Sequence, residues 1–181
     1  MMHYRNLKTI LIIDDNIETI KLLEIKLRNE GYNVISLTSG KDILSFLTDK
    51  TKPDLILLDI MMPGIDGFTI LKEIRKNFDN IDLPVFMLTA KNTSEDIVRA
   101  FEIGANDYIS KPIDFQVMFK RIETHLLIKD KVCELKLKNN EIQSKNIELD
   151  RLNQDLKLMN ESLDKTSSQI IAFNNQLHNM A

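Results

Sequence analysis

Cysteine is almost missing from this chain: Cys133 is the only one in 181 residues. No internal disulfide can form, and a reducing, cytosolic setting suits the chain. The thiol itself reads as an ordinary helix residue. Long apolar runs are missing too. Leu11-Ile12-Ile13 stops at Asp14-Asp15, far short of the roughly 20 apolar residues of a membrane span. The His3, Arg5 and Lys8 ahead of that run do not make it a signal peptide. No membrane contact of its own is expected. Nor does one sign of charge dominate. The 24 basic and 27 acidic residues leave a net charge of -3, which gives no drive toward nucleic acid or an anionic bilayer. Glycine and proline are few and one-sided: all five glycines and all four prolines lie before position 113. Beyond it nothing punctuates the chain, so a Leu-, Lys-, Asn- and Glu-rich stretch reads as one continuous helix.

The punctuated stretch alternates. Thr9-Ile10-Leu11-Ile12-Ile13 predicts a strand. Ile17, Ile20, Leu23 and Leu27 then follow at helical spacing and stop at Gly31. Val34-Ile35-Ser36-Leu37 predicts a second strand, and Ile43, Leu44 and Leu47 a second helix that ends before Pro53. Leu55-Ile56-Leu57-Leu58 is apolar throughout, as a strand covered on both faces should be. Phe68, Leu71, Ile74 and Arg75 mark a third helix, and Val85-Phe86-Met87-Leu88 a fourth strand. Ser94, Glu95 and Asp96 open a fourth helix that reaches Gly104. Asp107-Tyr108-Ile109-Ser110 is a short fifth strand, and a last helix starts at Asp114 after Pro112. The expected fold class is α/β: five strands in a doubly wound parallel sheet with helices on both faces. In such a sheet a ligand sits outside the carboxyl ends of the strands, where the strand order switches.

Those ends carry the chemistry. Asp14 and Asp15 follow the first strand, Asp59 the third, Thr89 the fourth, and Lys111 with Pro112 the fifth. Three close carboxylates repel one another and need a divalent cation or a proton to coexist. Hard oxygen ligands without a His or Cys cluster point to Mg²⁺ or Mn²⁺, not zinc. Magnesium held by a few carboxylates is the usual setting of phosphoryl transfer. A lysine opposite can offset charge on a phosphoryl oxygen and a threonine hydroxyl can bond another. Asp59, central in the set, is the natural nucleophile for an aspartyl phosphate. Ser39-Gly40-Lys41 is no phosphate loop, because the upstream glycine is absent.

Four blocks carry a resemblance: Ile12-Ile13-Asp14-Asp15-Asn16, the run from Asp54 through Asp59 and Pro63 to Gly67, Leu88-Thr89-Ala90, and Gly104-Ala105-Asn106-Asp107-Tyr108-Ile109-Ser110-Lys111-Pro112. In order and spacing they resemble the receiver domain of two-component response regulators, over residues 8–127. The resemblance implies that Asp14, Asp15, Asp59 and the backbone carbonyl of Met61 hold Mg²⁺ (or Mn²⁺). It implies that Asp59 takes a phosphoryl group from a histidine kinase or phosphotransfer protein, with Thr89 and Lys111 on the phosphoryl oxygens. Thr89 and Tyr108 would form the switch, and Pro112 would follow a cis peptide bond. Met61 and Lys91 match the two positions that tune phosphoryl lifetime in this family. The plainer readings are that Asp15 partly caps a helix, that Asp59 merely ends a strand, or that the receiver is degenerate. A degenerate receiver usually lacks an acid, the threonine or the lysine, and none is missing here.

Along the unpunctuated stretch, a single column repeats every seven residues: Ile128, Leu135, Ile142, Leu149, Leu156, Leu163, Ile170 and Leu177. A strict seven signals a supercoil, since a lone amphipathic helix drifts with its period of 3.6. Val132, Asn139 and Asn146 form the second column first, and buried asparagines there favour a parallel dimer in register. From Leu149 on, Leu152, Met159, Thr166, Phe173 and Met180 take that place, so the register shifts near Leu149. The competing pattern would keep Asn153, Asn160, Ser167 and Asn174 in the seam. At 1.5 Å per residue the helix would run roughly 100 Å, and one exposed seam of that length asks for a second chain. Lys129, Lys131, Lys136, Lys138 and Lys145 read as a solvated face, with nothing beside them to read a groove. His178 lacks the flanks of a phospho-accepting histidine and reads as structural.

Two domains are therefore expected, a receiver at 1–127 and a coiled-coil helix at 128–181 continuous with the last receiver helix. The expected function is a cytoplasmic, phosphorylation-dependent switch and not an enzyme, acting through a homodimer without direct nucleic acid or membrane contact. The heptads still run at Ala181, which keeps open a truncated regulator whose coil drives a missing output enzyme such as a diguanylate cyclase.

Overall fold

The computed structural model describes residues 8–40, 43–47, 52–90 and 94–179, and of Leu44, Ser45 and 173–179 the backbone alone. His3, Arg5, Lys41, Lys91 and Met180 lie outside the described residues, as do the side chains of Leu44, Phe173, Asn174, Leu177 and His178. In chain order the elements are β1 (Thr9–Ile13), α1 (Ile17–Asn29), β2 (Asn33–Leu37), α2 (Ile43–Phe46), β3 (Leu55–Asp59), α3 (Gly67–Asn77), β4 (Val85–Thr89), α4 (Ser94–Ile103), β5 (Asp107–Ser110) and α5 (Phe115–Asn179). All five strands are parallel, in the order β2-β1-β3-β4-β5. The order reverses at β1, so the crevice between the carboxyl ends of β1 and β3 is the switch point.

Successive residues of a strand face opposite sides of the sheet, and here both sides are buried. Leu11, Ile13, Ile56, Leu58, Val85 and Met87 pack under α2, α3 and α4 against Ile43, Phe68, Ile70, Leu71, Ile74 and Ala100. Ile10, Ile12, Leu55, Leu57, Phe86 and Leu88 pack on the other face under α1 and α5, against Leu23, Leu27, Met118, Ile122 and Leu126. This is why β3 and β4 are apolar without alternation. Removing the Phe86 side chain, which is fully buried, would cost about 3–5 kcal/mol.

Two elements differ from the sequence expectation at their ends. Among the described residues the second helix covers Ile43–Phe46, with Leu47 buried just after it. The last helix opens at Phe115, not Asp114, because Asp114 acts as its cap and accepts the Val117 N–H at 3.1 Å. Glycine is required at the start of α3. A Cβ on Gly67 would lie 2.3 Å from the Asp59 carbonyl oxygen and 2.8 Å from the Ile60 Cα. The Gly67 N–H also donates to the Ile60 carbonyl at 2.9 Å, so α3 is pressed directly onto the end of β3. On the far side of α3, the half-buried Arg75 guanidinium donates to the carbonyls of Gly104 (2.8 Å) and Leu83 (2.9 Å) and to Asn106 Oδ1 (3.0 Å). Burial lowers its pKa to about 10, against a smaller upward pull from Asp79.

The chain forms two compact units that divide between Val132 and Cys133. The first keeps the opening of α5 by charge as well as by packing. Lys129 Nζ donates to the Asp54 carbonyl at 3.1 Å, and Lys8 Nζ reaches Asp130 Oδ1 at 2.8 Å and Asp54 Oδ1 at 3.5 Å. In the second unit every described side chain from Cys133 to residue 172 is exposed. Its helix carries Glu134–Lys138 and Glu141–Lys145 pairs at 2.7 and 2.6 Å, each worth about 0.2–0.5 kcal/mol.

Replacement of Gly67 by alanine should lower stability by about 1–3 kcal/mol, since backbone rather than a flexible side chain must yield. A thermal midpoint equal to wild type would show that the β3–α3 junction has slack the geometry does not suggest.

Candidate functional site

The site grows out of strand register. Ile13 lies beside Leu58, Asp59 beside Leu88, and Thr89 beside Ser110. The residues that follow or end these strands therefore come level at one edge. Backbone bonds hold the edge together: Ile60 N–H to the Leu88 carbonyl at 3.0 Å, Lys111 N–H to the Thr89 carbonyl at 2.7 Å, and Asp14 N–H to the Leu37 carbonyl at 3.2 Å.

Carboxylate oxygens of Asp14, Asp15 and Asp59 lie within 4.8 Å of one another. Asp14 and Asp59 are buried and Asp15 is exposed. Lys111 Nζ bridges the buried pair, at 2.8 Å from Asp14 Oδ2 and 2.6 Å from Asp59 Oδ1. Backbone donors take the other oxygens: Asn16 N–H on Asp14 Oδ1 at 2.8 Å, and Met61 N–H on Asp59 Oδ2 at 2.9 Å. Burial pushes the Asp59 carboxyl above the usual carboxylate range, with a further push from Asp14. Lys111 and the Met61 N–H pull it back only in part. Burial also works against the Lys111 ammonium, but its bonds and charge contacts with Asp14 and Asp59 outweigh that and leave its pKa raised. Three oxygen donors of this hardness, two sunk below the surface and one open to water, fit a magnesium-type cation that keeps part of its water shell.

The remaining candidates are spread more widely. Thr89 is buried at the end of β4, and the Lys111–Pro112 peptide is cis. Tyr108 lies half-buried on β5, edge-to-face with Phe101 of α4 at 6.2 Å between centroids, rather than among the carboxylates. The side chain of Met61 is exposed. The seven-residue column from Ile128 onward lies along α5. The helix cap expected in some measure from Asp15 is Asn16 instead, whose side chain accepts from the N–H groups of Glu18 and Thr19 at 2.8 and 3.0 Å. That leaves Asp14 and Asp15 without a capping duty. Asn16, the last polar residue before the first apolar helical position, carried that signal in the sequence.

Residues 10–123 match the family model described as "Response regulator receiver domain". The chain belongs to that receiver family. A protein from Chloroflexus aurantiacus J-10-fl described as a response regulator is 37% identical, with 66% of this chain and 98% of that one aligned at a TM-score of 0.60. A CheY-like receiver domain protein from Methanospirillum hungatei JF-1 is 27% identical, over 68% of this chain and 97% of that one, at a TM-score of 0.62. The fold is also shared with a two-component system response regulator/GGDEF domain protein, at 20% identity and a TM-score of 0.67. There 71% of this chain aligns with 53% of that one. Receiver domains bind Mg²⁺ at an acidic pocket, and the Asp14–Asp15–Asp59 cluster stands where this receiver would hold it. No helix among the described residues is long and apolar enough to cross a membrane.

A carboxyl group whose pKa rises on folding opposes folding above that pKa, and the opposition fades as pH falls through it toward the lower unfolded-state pKa. Asp59→Asn should therefore stabilise the metal-free receiver at pH 7. The gain should shrink as pH is lowered through the raised Asp59 pKa. Magnesium should raise the thermal midpoint of wild type more than that of the variant. Thermal scans across pH, with and without magnesium, check both signs.

Proposed function

We propose that this receiver is a phosphorylation-dependent response regulator. It accepts a phosphoryl group on Asp59 from a histidine kinase or phosphotransfer protein and passes the change to a parallel coiled-coil homodimer. The observation that carries this is the Lys111 ammonium held between Asp59 and Asp14 at hydrogen-bond distance from both, beside a third clustered acid.

The chemistry follows from charge. An Asp59 oxygen attacks the phosphorus of a phosphohistidine, an O–P bond forms, and the N–P bond breaks to release the imidazole. Asp14, Asp15, Asp59 and the Met61 carbonyl are the residues that would hold Mg²⁺ (or Mn²⁺), which when bound offsets charge on the transferring group. Lys111 sits where its ammonium can leave Asp14 and follow a phosphoryl oxygen on Asp59. Thr89 offers its hydroxyl to another oxygen. The new group brings about −1.5 to −2 charges to a buried position, and no second enzyme is needed to make or hydrolyse it. Met61 and Lys91 would set how long it lasts.

The output runs through Thr89 and Tyr108 to the face made by α4, β5 and the start of α5. Residues 1–127 act as the receiver and 128–181 as the coil. Ile128, Leu135, Ile142, Leu149, Leu156, Leu163 and Ile170 are each 48–64% exposed in the single chain, and with Leu177 they form the seam a second copy would cover. A cytoplasmic location suits a chain with one exposed cysteine. A second reading is that the same coil drives a C-terminal output enzyme such as a diguanylate cyclase. The fold shared with two response regulator/GGDEF domain proteins favours it. After Val132 the described residues form helix only.

Radiolabelled acetyl phosphate or phosphorylated kinase, supplied with magnesium, should label wild type and leave Asp59→Ala blank. Light-scattering mass should report a dimer for both proteins. Equal labelling of the two would remove Asp59 from the mechanism. A monomer at micromolar concentration would remove the coil.

A further inference from the structure

Beside the carboxylates lies an open depression of about 470 Å³, lined among others by Asp15, Ile60, Met61, Asp66, Phe68 and Arg99. Two of these residues belong to the acidic site itself. Asp15 is one of the clustered acids, and Met61 gives its N–H to Asp59. The depression thus opens beside the acidic site that holds Asp59. Arg99 of α4 stands over the ring of Phe68 of α3, with its guanidinium carbon 4.3 Å from the ring centroid. Stacking fixes the plane of a guanidinium without using its N–H donors. Among the described residues no carboxylate or carbonyl takes a hydrogen bond from Arg99. Arg75 is the contrast, with its donors spent on Gly104, Leu83 and Asn106.

An oriented cation with unspent donors, at the mouth of an anion-accepting site, belongs to the leaving side of the reaction. In phosphoryl transfer the attacking and leaving atoms are roughly in line. Asp59 attacks from the floor of the crevice, so the leaving group departs outward. With an acyl phosphate, the Asp59 O–P bond forms while the bond from phosphorus to the acyl oxygen breaks. The electron pair stays on that oxygen, a carboxylate departs, and no proton moves. With phosphoramidate, the N–P bond breaks and the nitrogen, already carrying three protons, leaves as neutral ammonia. Asp15 and Asp66 in the lining repel a departing carboxylate, and Arg99 is placed to offset them with a two-pronged bond.

We infer that Arg99, held on Phe68, binds the departing carboxylate of small acyl phosphate donors and so favours them over donors whose leaving group is neutral. This rests on the phosphoacceptor role of Asp59 and adds a donor preference to it. Initial phosphorylation rates with acetyl phosphate and with phosphoramidate, in saturating magnesium, test it in wild type, Arg99→Gln and Arg99→Lys. The ratio of the acetyl phosphate rate to the phosphoramidate rate should fall about tenfold in Arg99→Gln, as loss of one charged hydrogen bond implies. Arg99→Lys should keep some of it. Beryllofluoride, which carries no leaving group, should bind wild type and Arg99→Gln alike. An unchanged ratio, an equal fall with both donors, or a parallel loss of beryllofluoride binding overturns the inference. Wild type labelled by neither donor overturns the phosphoacceptor reading, and this inference with it.

Discussion

One ammonium group between two buried carboxylates is the constraint on which the rest depends. Asp14 and Asp59 come from strands far apart in sequence, and both are sunk below the surface, where like charges within a few ångströms cannot persist alone. Lys111 reconciles them, yet it lies on a third segment that must reach the same edge. The parallel sheet achieves this. It fixes β1, β3, β4 and β5 in register, so that their carboxyl ends deliver the acids, Thr89 and Lys111 at one level. Burial, and to a lesser degree Asp14, still leaves the Asp59 carboxyl with a raised pKa despite the lysine. A divalent cation would offset the carboxylate charge there that the lysine leaves uncompensated.

Much of this was legible in the sequence because the physics is local and periodic. Apolar runs at Leu55–Leu58 and Val85–Leu88 announced strands covered on both faces, and both core layers bear that out. The five parallel strands followed from apolar runs alternating with helical spacing, and the receiver family from acids, threonine and lysine placed just after strands. What could not be read was set by contacts between distant residues. Among the described residues the second helix spans Ile43–Phe46 and stops before Leu47, although its apolar spacing carried Leu47 as well. The cap moved from Asp15 to Asn16 because only the backbone path shows which side chain faces the Glu18 and Thr19 N–H groups. The stack of Arg99 on Phe68 joins two helices and leaves no trace in spacing.

The ionic tie around Asp54 shows how the long helix begins. Asp54 precedes β3, accepts the Thr9 N–H at 2.9 Å and is approached by both Lys8 and Lys129. Burial lowers the Lys129 pKa, and Asp54 offsets some of that cost. The opening turns of α5 are thus held twice, by Met118, Ile122 and Leu126 in the core and by charge at the amino ends of β1 and β3. Beyond Val132 the described side chains are exposed, and their seven-residue apolar column is a surface that costs free energy in water.

The most direct test of the account is chemical trapping of the phosphorylated residue. Borohydride reduces an aspartyl phosphate to homoserine, and peptide mass mapping then places the change on one position. After incubation with magnesium and acetyl phosphate, homoserine should appear at position 59, and omitting the donor should abolish it. Homoserine at any other aspartate, or none at all under saturating donor and metal, would contradict the claim that these residues assemble around Asp59 to accept a phosphoryl group.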